Sequence, residues 1–244
     1  MRDWAGKKYW IVGASEGLGR ALAERMSRAG VELVLSARNA ERLQELAAEL
    51  PGKAHAVACD ISDAASCRAA AEQAGAVDGV VFLAGVYWPM AAQEWDAAQV
   101  EQMCDVNFTG AVRVLGTVVP QMVERDAGHI VLVGSLSGFR GLPGAIGYGA
   151  SKAGVMALAE SMQADLRRTG VDVQLANPGF IRTRLTDKNE FSMPFIMEPE
   201  EAGQRIFDFM CTDRFKLSFP TVFSWLFRGS QFLPDWAYYR IFGR

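Results

Sequence analysis

Tyr9-Trp10-Ile11-Val12-Gly13-Ala14-Ser15-Glu16-Gly17-Leu18-Gly19 decides the fold. The apolar run Tyr9–Val12 reads as a buried strand, and from Arg20 to Ala29 the pattern becomes helical. Strand, glycine turn and helix in that order build an anion site. The glycines let backbone approach a pyrophosphate, and the helix N-terminus offers unpaired N–H groups and the positive end of its dipole. The spacing is GxxxGxG, distinct from the GxGxxG of the commoner dinucleotide fingerprint.

Working outward, short β-rich runs alternate with longer helical patterns. The strand candidates are Tyr9–Val12, Val31–Leu35, His55–Ala58, Gly79–Leu83, His129–Val133, Val171–Leu175 and Lys216–Phe219. This alternation predicts βαβ units. Runs such as Ile130-Val131-Leu132-Val133 suit a parallel sheet covered by helices on both faces, with ligands at the carboxyl ends of the strands. The expected architecture is α/β: a single-domain, Rossmann-like, doubly wound parallel sheet of about seven strands. Gly138 to Gly149 is glycine-rich and is expected to form the loop leading into the helix that carries Tyr148.

Tyr148-Gly149-Ala150-Ser151-Lys152 sets a phenol and an ammonium four residues apart, on one face of a helix. A cation fixed beside a phenol favours the phenolate, bringing a group with a pKa of about 10 nearer the range of efficient acid–base catalysis. Alone, the same spacing also describes an ordinary Tyr/Lys pair on a helix surface. Ser135 in Gly-Ser-Leu-Ser-Gly reads equally as a turn hydroxyl, and Asn107 as a capping residue.

Together, these residues resemble the short-chain dehydrogenase/reductase family, from about Lys7 to Pro220. The matching positions are Gly13, Gly17 and Gly19; Asp60 after the third strand; Asn107 in Val-Asn-Phe-Thr-Gly; Ser135, thirteen residues before Tyr148; and Pro178, Gly179 and Thr183 in a PGxxxT element. The resemblance implies a catalytic set of Tyr148, Lys152, Ser135 and Asn107. Tyr148 would be the acid that protonates a carbonyl oxygen, or the base in the reverse direction. Ser135 would donate to the substrate oxygen, with Ser137 a weaker alternative, and Lys152 would hold the nicotinamide ribose and favour the phenolate. Asn107 would position water in a proton relay. The implied cofactor contacts are Gly13, Ser15, Glu16, Gly17, Leu18, Gly19, Arg38, Asp60, Ile61, Ala84, Gly85, Tyr148, Lys152, Pro178, Gly179, Ile181 and Thr183. Two departures stand out: Val12 replaces the usual Thr before the first glycine, and Phe82-Leu83-Ala84-Gly85 replaces Asn-Asn-Ala-Gly. Both bear on loop rigidity and cofactor affinity.

Cofactor choice turns on Leu35-Ser36-Ala37-Arg38. No acid is present to bind the ribose hydroxyls of NAD, and the Arg38 guanidinium suits the 2′-phosphate of NADP. Ser15 adds a hydroxyl, whereas Glu16 is unwelcome near a phosphate. NADP(H) is therefore the preferred cofactor, with NAD(H) left open.

Composition bounds the rest. With 25 Lys plus Arg against 28 Asp plus Glu, the formal charge is −3, and no basic stretch interleaves with aromatics as nucleic-acid surfaces require. Met1-Arg2-Asp3-Trp4 has no apolar signal core and no run of about eighteen apolar residues follows, so the expected location is cytoplasmic. Cys59, Cys67, Cys104 and Cys211 lack CxxC spacing and only two histidines accompany them, so neither a disulfide framework nor a metal site is expected.

One domain is expected over residues 1–244, with a substrate-lid segment at 184–198 and an aromatic-rich extension at 221–244. Phe139, Phe191, Met193, Phe195 and Met197 suggest an apolar pocket for a ketone, 3-oxoacyl compound or secondary alcohol. Arg140, Arg182, Arg184 and Lys188 are candidates to meet an acyl-carrier phosphate or thioester tail, although scattered basic residues read more commonly as solvated surface cations. From Phe215 onward the chain holds ten of its 25 aromatics. Ordinary core packing, subunit packing in a homodimer or homotetramer, a roof over a lipophilic pocket, and rest on a membrane surface all remain open for this tail. Besides an active enzyme, a catalytically silent NADP-binding regulator and an isomerase or scaffold on the same fold are the alternatives. The presence of Tyr148, Lys152 and Ser135 favours the enzyme.

Overall fold

The structure is a computed structural model that describes residues 2–189 and 191–243. Met1, Glu190 and Arg244, which fall within the expected domain, lid segment and tail, lie outside the described residues. Seven strands form one parallel sheet in the order β3-β2-β1-β4-β5-β6-β7. They are β1 (Lys8–Val12), β2 (Glu32–Ala37), β3 (Ala54–Ala58), β4 (Gly79–Phe82), β5 (Gly128–Val133), β6 (Val171–Pro178) and β7 (Lys216–Phe219). The order reverses between β1 and β4, and at that switch point a crevice opens beyond the strand ends.

Along β1 the side chains alternate between two cores. Tyr9 and Ile11 join Leu22 and Met26 of helix α1 (Gly17–Arg28), Leu43 of α2 (Ala40–Glu49) and Ile206 of α7 (Pro199–Met210) on one face. Trp10 and Val12 join Cys67 of α3 (Ala64–Ala74), Val114 of α5 (Gly110–Glu124) and Val155 of α6 (Ile146–Leu166) on the other. Burial on both faces is why the central strands read as continuous apolar runs.

At the sheet's far end, away from the crevice, the His129 ring is buried between Tyr9 and Gln174. Gln174 Nε2 donates to the carbonyls of Phe209, Thr212 and Arg214, which leaves its Oε1 to accept from His129 Nε2 at 2.8 Å. Nδ1 therefore accepts from the Tyr9 hydroxyl, also at 2.8 Å. Burial holds the His129 pKa down to about 3.

Three details differ from the sequence expectation. β6 runs on to Pro178, so the PGxxxT element begins inside the strand. α6 starts at Ile146, which places Tyr148 in its first turn. Gly147 serves helix packing here, since a Cβ on it would lie 2.7 Å from Met103 Cε and 3.2 Å from the Val100 Cα of α4 (Ala97–Cys104). Finally, a π-helical turn, Asp105–Thr109, joins α4 to α5 and carries Asn107.

The tail forms two helices, α8 (Thr221–Ser230) and α9 (Asp235–Phe242), on either side of Pro234. Among the described residues no helix is long and apolar enough to cross a membrane.

Candidate active site

A cleft of about 920 Å³ lies along the carboxyl ends of β1 to β6. Gly13, Ser15, Glu16, Gly17, Leu18, Gly19, Arg38, Asp60, Ile61, Ala84, Gly85, Ser135, Tyr148, Lys152, Pro178, Gly179, Ile181 and Thr183 all line it. Of the expected site residues only Asn107 is absent from its wall.

The glycine turn fits a dinucleotide. Gly13 and Gly17 have φ of +99° and +51°, and a Cβ on Gly13 would lie 2.6 Å from the Ala84 backbone nitrogen. On Gly19 it would meet the Gly13 carbonyl at 1.9 Å, so only glycine allows strand and helix to approach this closely. Glu16 is the N-cap of α1 and its side chain makes no capping hydrogen bond, leaving the first-turn N–H groups to an anion. The Thr183 methyl rests over Gly17, tying the PGxxxT element to the turn.

At Val12 and Leu83 the loops are joined to the sheet through the backbone. Val12 is buried in the core, its carbonyl accepts from the Leu83 and Ala84 amides at 2.9 Å, and Gly13 N donates to the Ser36 carbonyl at 2.7 Å. Backbone hydrogen bonds supply the ties here.

At the end of the cleft beside β2, Asn39 caps α2 by accepting from Arg42 N. Glu16 Oε2 then takes Arg42 Nη1 at 2.9 Å, while its Oε1 takes Arg184 Nη2 at 2.8 Å. Arg38 is exposed at the cleft and has no ion pair among the described residues. The sequence reading missed Arg42, which lines the same cleft. Its position in the third helical residue after Asn39 was the signal available. Asp60, held below the usual carboxylate range chiefly by the Ser62 hydroxyl, borders the cleft beside Ile61.

Ser135 Oγ accepts from Ser137 Oγ at 2.9 Å and from Ser137 N at 3.2 Å, leaving its own proton to donate. Lys152 is buried and donates from Nζ to the Val133 carbonyl at 2.9 Å. Its Nζ lies 5.8 Å from the Tyr148 ring centre. Burial pushes the Tyr148 phenol up to about 12, with the Ser135 hydroxyl pulling the other way, and pushes Lys152 down to about 8. In this geometry desolvation outweighs the lowering expected from the YxxxK spacing, and the phenol is held protonated at neutral pH.

Asn107 sits behind this group. Its Oδ1 accepts from Val86 N at 2.7 Å, and its Nδ2 donates to the Val86 carbonyl and to Ser151 Oγ, each at 3.0 Å. The amide thus staples the loop after β4 to α6. Gly85 fits beside it, where a Cβ would lie 3.2 Å from Asn107 Oδ1.

A second cavity, of about 1210 Å³, opens on the other side of Tyr148. It shares Ser135, Tyr148, Gly179, Leu185 and Thr186 with the first. Tyr87, unforeseen from sequence, meets Tyr148 edge-on at 5.0 Å and donates to Asn189 Oδ1 at 2.9 Å. Met90, Leu136, Leu142, Phe180 and Phe191 add apolar wall, and Phe223, Phe227 and Phe242 of the tail supply more. Phe223 packs on Phe180 and Phe195, so the segment 184–198 and the tail meet there.

The four cations considered for an acyl-carrier tail are engaged within the chain. Arg140 is fixed to the tail, Arg182 pairs with Glu198, Arg184 with Glu16, and Lys188 donates to the Tyr87 carbonyl.

The family model for short chain dehydrogenase matches residues 7–192. An uncharacterised oxidoreductase of Myxococcus xanthus is 39% identical over 242 residues, 96% of each chain. A 3-oxoacyl-[acyl-carrier-protein] reductase of Rickettsia conorii is 29% identical, spanning 77% of this chain and 78% of its own. A short-chain dehydrogenase from Sphingobium yanoikuyae in complex with NADPH superposes with a TM-score of 0.81 at 29% identity, covering 88% of both chains. With this sheet order, glycine turn and YxxxK helix, the chain belongs to the short-chain dehydrogenase/reductase family. It is an oxidoreductase of the kind that acts on CH–OH or carbonyl groups with a nicotinamide cofactor.

Proposed function

We propose that the protein interconverts an apolar carbonyl compound, a ketone or 3-oxoacyl type, and its secondary alcohol, using NADP(H) in preference to NAD(H). The observation that carries this reading is the position of Tyr148 and Ser135 at the junction of two clefts, one suited to a dinucleotide and one lined by aromatic and aliphatic side chains.

Gly13–Gly19, Asp60, Ile61, Ala84, Gly85, Pro178, Gly179, Ile181 and Thr183 would hold the dinucleotide, with Arg38 and Arg42 at its 2′-phosphate. When bound, the nicotinamide supplies or accepts the hydride. Ser135 donates its free proton in a hydrogen bond to the substrate oxygen, where charge develops. Tyr148 Oη, protonated at neutral pH, gives its proton to that oxygen in the reductive direction, and takes it back in the oxidative one. Lys152, buried behind Tyr148, supplies the nearby ammonium that favours the phenolate as it forms. Asn107 positions the Val86 loop and α6 with its side chain, and the proton-relay role remains part of this proposal.

The second cavity has one charged side chain of each sign in its wall, Glu94 and Lys188, with the Lys188 ammonium donating to the Tyr87 carbonyl, and this otherwise uncharged lining favours an uncharged carbonyl. The outer face of α5, where Val112, Gly116, Val119 and Val123 follow one another at helical spacing, supports a homodimer or homotetramer. We place the protein in the cytoplasm.

The deciding experiment follows cofactor absorbance with ketones, 3-oxoacyl thioesters and lipophilic alcohols, each with NADP(H) and NAD(H). Turnover of apolar carbonyls with NADPH is expected. Cofactor binding without turnover of any substrate would point to the silent regulator.

A further inference from the structure

Helix α8 is apolar on two opposite faces. Its inner face sets Phe223 and Phe227 against the body and the second cavity. Its outer face holds Val222, Trp225 and Leu226 in solvent, at 66, 60 and 52% exposure. Spaced i, i+3, i+4, they form one stripe. The following turn adds Phe232, 88% exposed, and α9 adds Trp236, 75% exposed. A helix apolar on two opposite faces belongs in apolar surroundings on both sides, and the body supplies only one. These aromatics are also held outward, because the hairpin is fixed to the body through Arg140, whose fork reaches the Ser230 and Leu233 carbonyls and Asp235.

Charge decides what covers this face. Residues 221–244 contain three arginines and one aspartate in a chain whose net charge is −3. Asp235 is paired with Arg140, while Arg228 and Arg240 are exposed and have no ion pair among the described residues. A second copy related by a two-fold axis would set this patch against itself, bringing arginine toward arginine with no free acid to meet them. An anionic bilayer surface matches both components, with an interfacial layer for Trp and Phe and phosphates for the arginines.

We propose that the outer face of α8 and α9, led by Trp225, Phe232 and Trp236 and flanked by Arg228 and Arg240, seats the protein on an anionic lipid surface as a peripheral membrane protein. The docking stands independently of the active-site reading. Its consequence for that reading is direct: one hairpin presents its outer side to lipid and its inner side to the substrate cavity, where bilayer-dissolved carbonyl compounds are near at hand.

The test is flotation of the full-length protein with vesicles of phosphatidylcholine alone or mixed with phosphatidylglycerol, at low and high salt. The wild type is expected to float with the mixed vesicles and more weakly with phosphatidylcholine. The triple variant Trp225→Ser/Phe232→Ser/Trp236→Ser should lower the bound fraction about tenfold or more, and Arg228→Gln/Arg240→Gln should erase the preference for anionic lipid. Circular dichroism confirms that each variant is folded. Failure of the wild type to float with either vesicle, or a triple variant that floats as the wild type does, overturns the proposal. A wild type that does not float and whose assembly shrinks by light scattering in the triple variant assigns the face to a second copy instead.

Discussion

The guanidinium carbon of Arg140 lies 3.9 Å from the centre of the Tyr238 ring, and the Tyr238 hydroxyl donates to the carbonyl of Gly141, next to that arginine. Arg140 Nη1 also closes the end of α8 through the Ser230 and Leu233 carbonyls, and Nη2 reaches Asp235 at the start of α9 at 2.6 Å. One side chain from the loop after Ser135 thus donates to two carbonyls at and just beyond the end of α8, stacks on an aromatic face and neutralises a carboxylate.

Removing that clamp has a defined outcome. Arg140→Ala should destabilise the protein by about 2 kcal/mol or more, sensitise the chain to proteolysis near Pro220, and raise KM for bulky apolar carbonyls while small ones are little affected. Arg140→Lys should not restore the wild-type behaviour, because an ammonium lacks the planar fork. Unchanged proteolysis and unchanged KM for large substrates would show that the tail does not shape the cavity.

Tyr148→Phe keeps the ring against Tyr87 and removes only the hydroxyl. Cofactor binding and thermal midpoint should stay near wild type, while kcat falls about a hundred- to ten-thousandfold. Substantial remaining activity would sink the proton-transfer role.

Arg38→Ala should weaken NADP about tenfold or more and leave NAD nearly unchanged. Arg42→Ala should do so less, because Glu16 already shares that cation. Equal weakening of both coenzymes by Arg38→Ala would remove it from the selection of the 2′-phosphate.

His129 predicts an acid-side sensitivity remote from the chemistry. Its folded pKa of about 3 lies below the ordinary value of 6.5, so between those values the unfolded chain binds more protons than the native one. Stability therefore falls as pH drops through this window, by about 1.4 kcal/mol per pH unit for one such group. His129→Leu leaves Tyr9 and Gln174 short of partners and should be less stable at pH 7, yet lose less on acidification. Urea unfolding from pH 7 to pH 4.5 measures both slopes, and equal slopes would exclude His129 as the source.

Much of this was legible in the chain itself. β7 falls at Lys216–Phe219 as expected, and most of the other strand boundaries shift by only a residue or two; the central strands, buried on both faces, announce themselves as apolar runs. The glycine turn was readable for the same local reason. Features set by distant partners were not. Gly147 looked like a loop residue because its packing partner, Met103, sits on another helix. Arg140 looked like a surface cation because the carbonyls it serves lie ninety or more residues away. Glu16 looked unfavourable near a phosphate because neither of its two arginines is adjacent in sequence.

Those two arginines give Glu16 a role in communication. It touches Arg42 of α2 at one end of the cleft and Arg184, just after the PGxxxT element, at the other side of the glycine turn. An anion that draws Arg42 away leaves the carboxylate wholly to Arg184, so occupancy at one end of the cleft changes the electrostatic hold on the other. Such coupling is reciprocal by thermodynamic necessity, and for exposed pairs it amounts to about 1 kcal/mol or less. Occupancy of the cleft beside Arg42 and the hold on Arg184 would then be linked quantities, and raising the ionic strength should uncouple them.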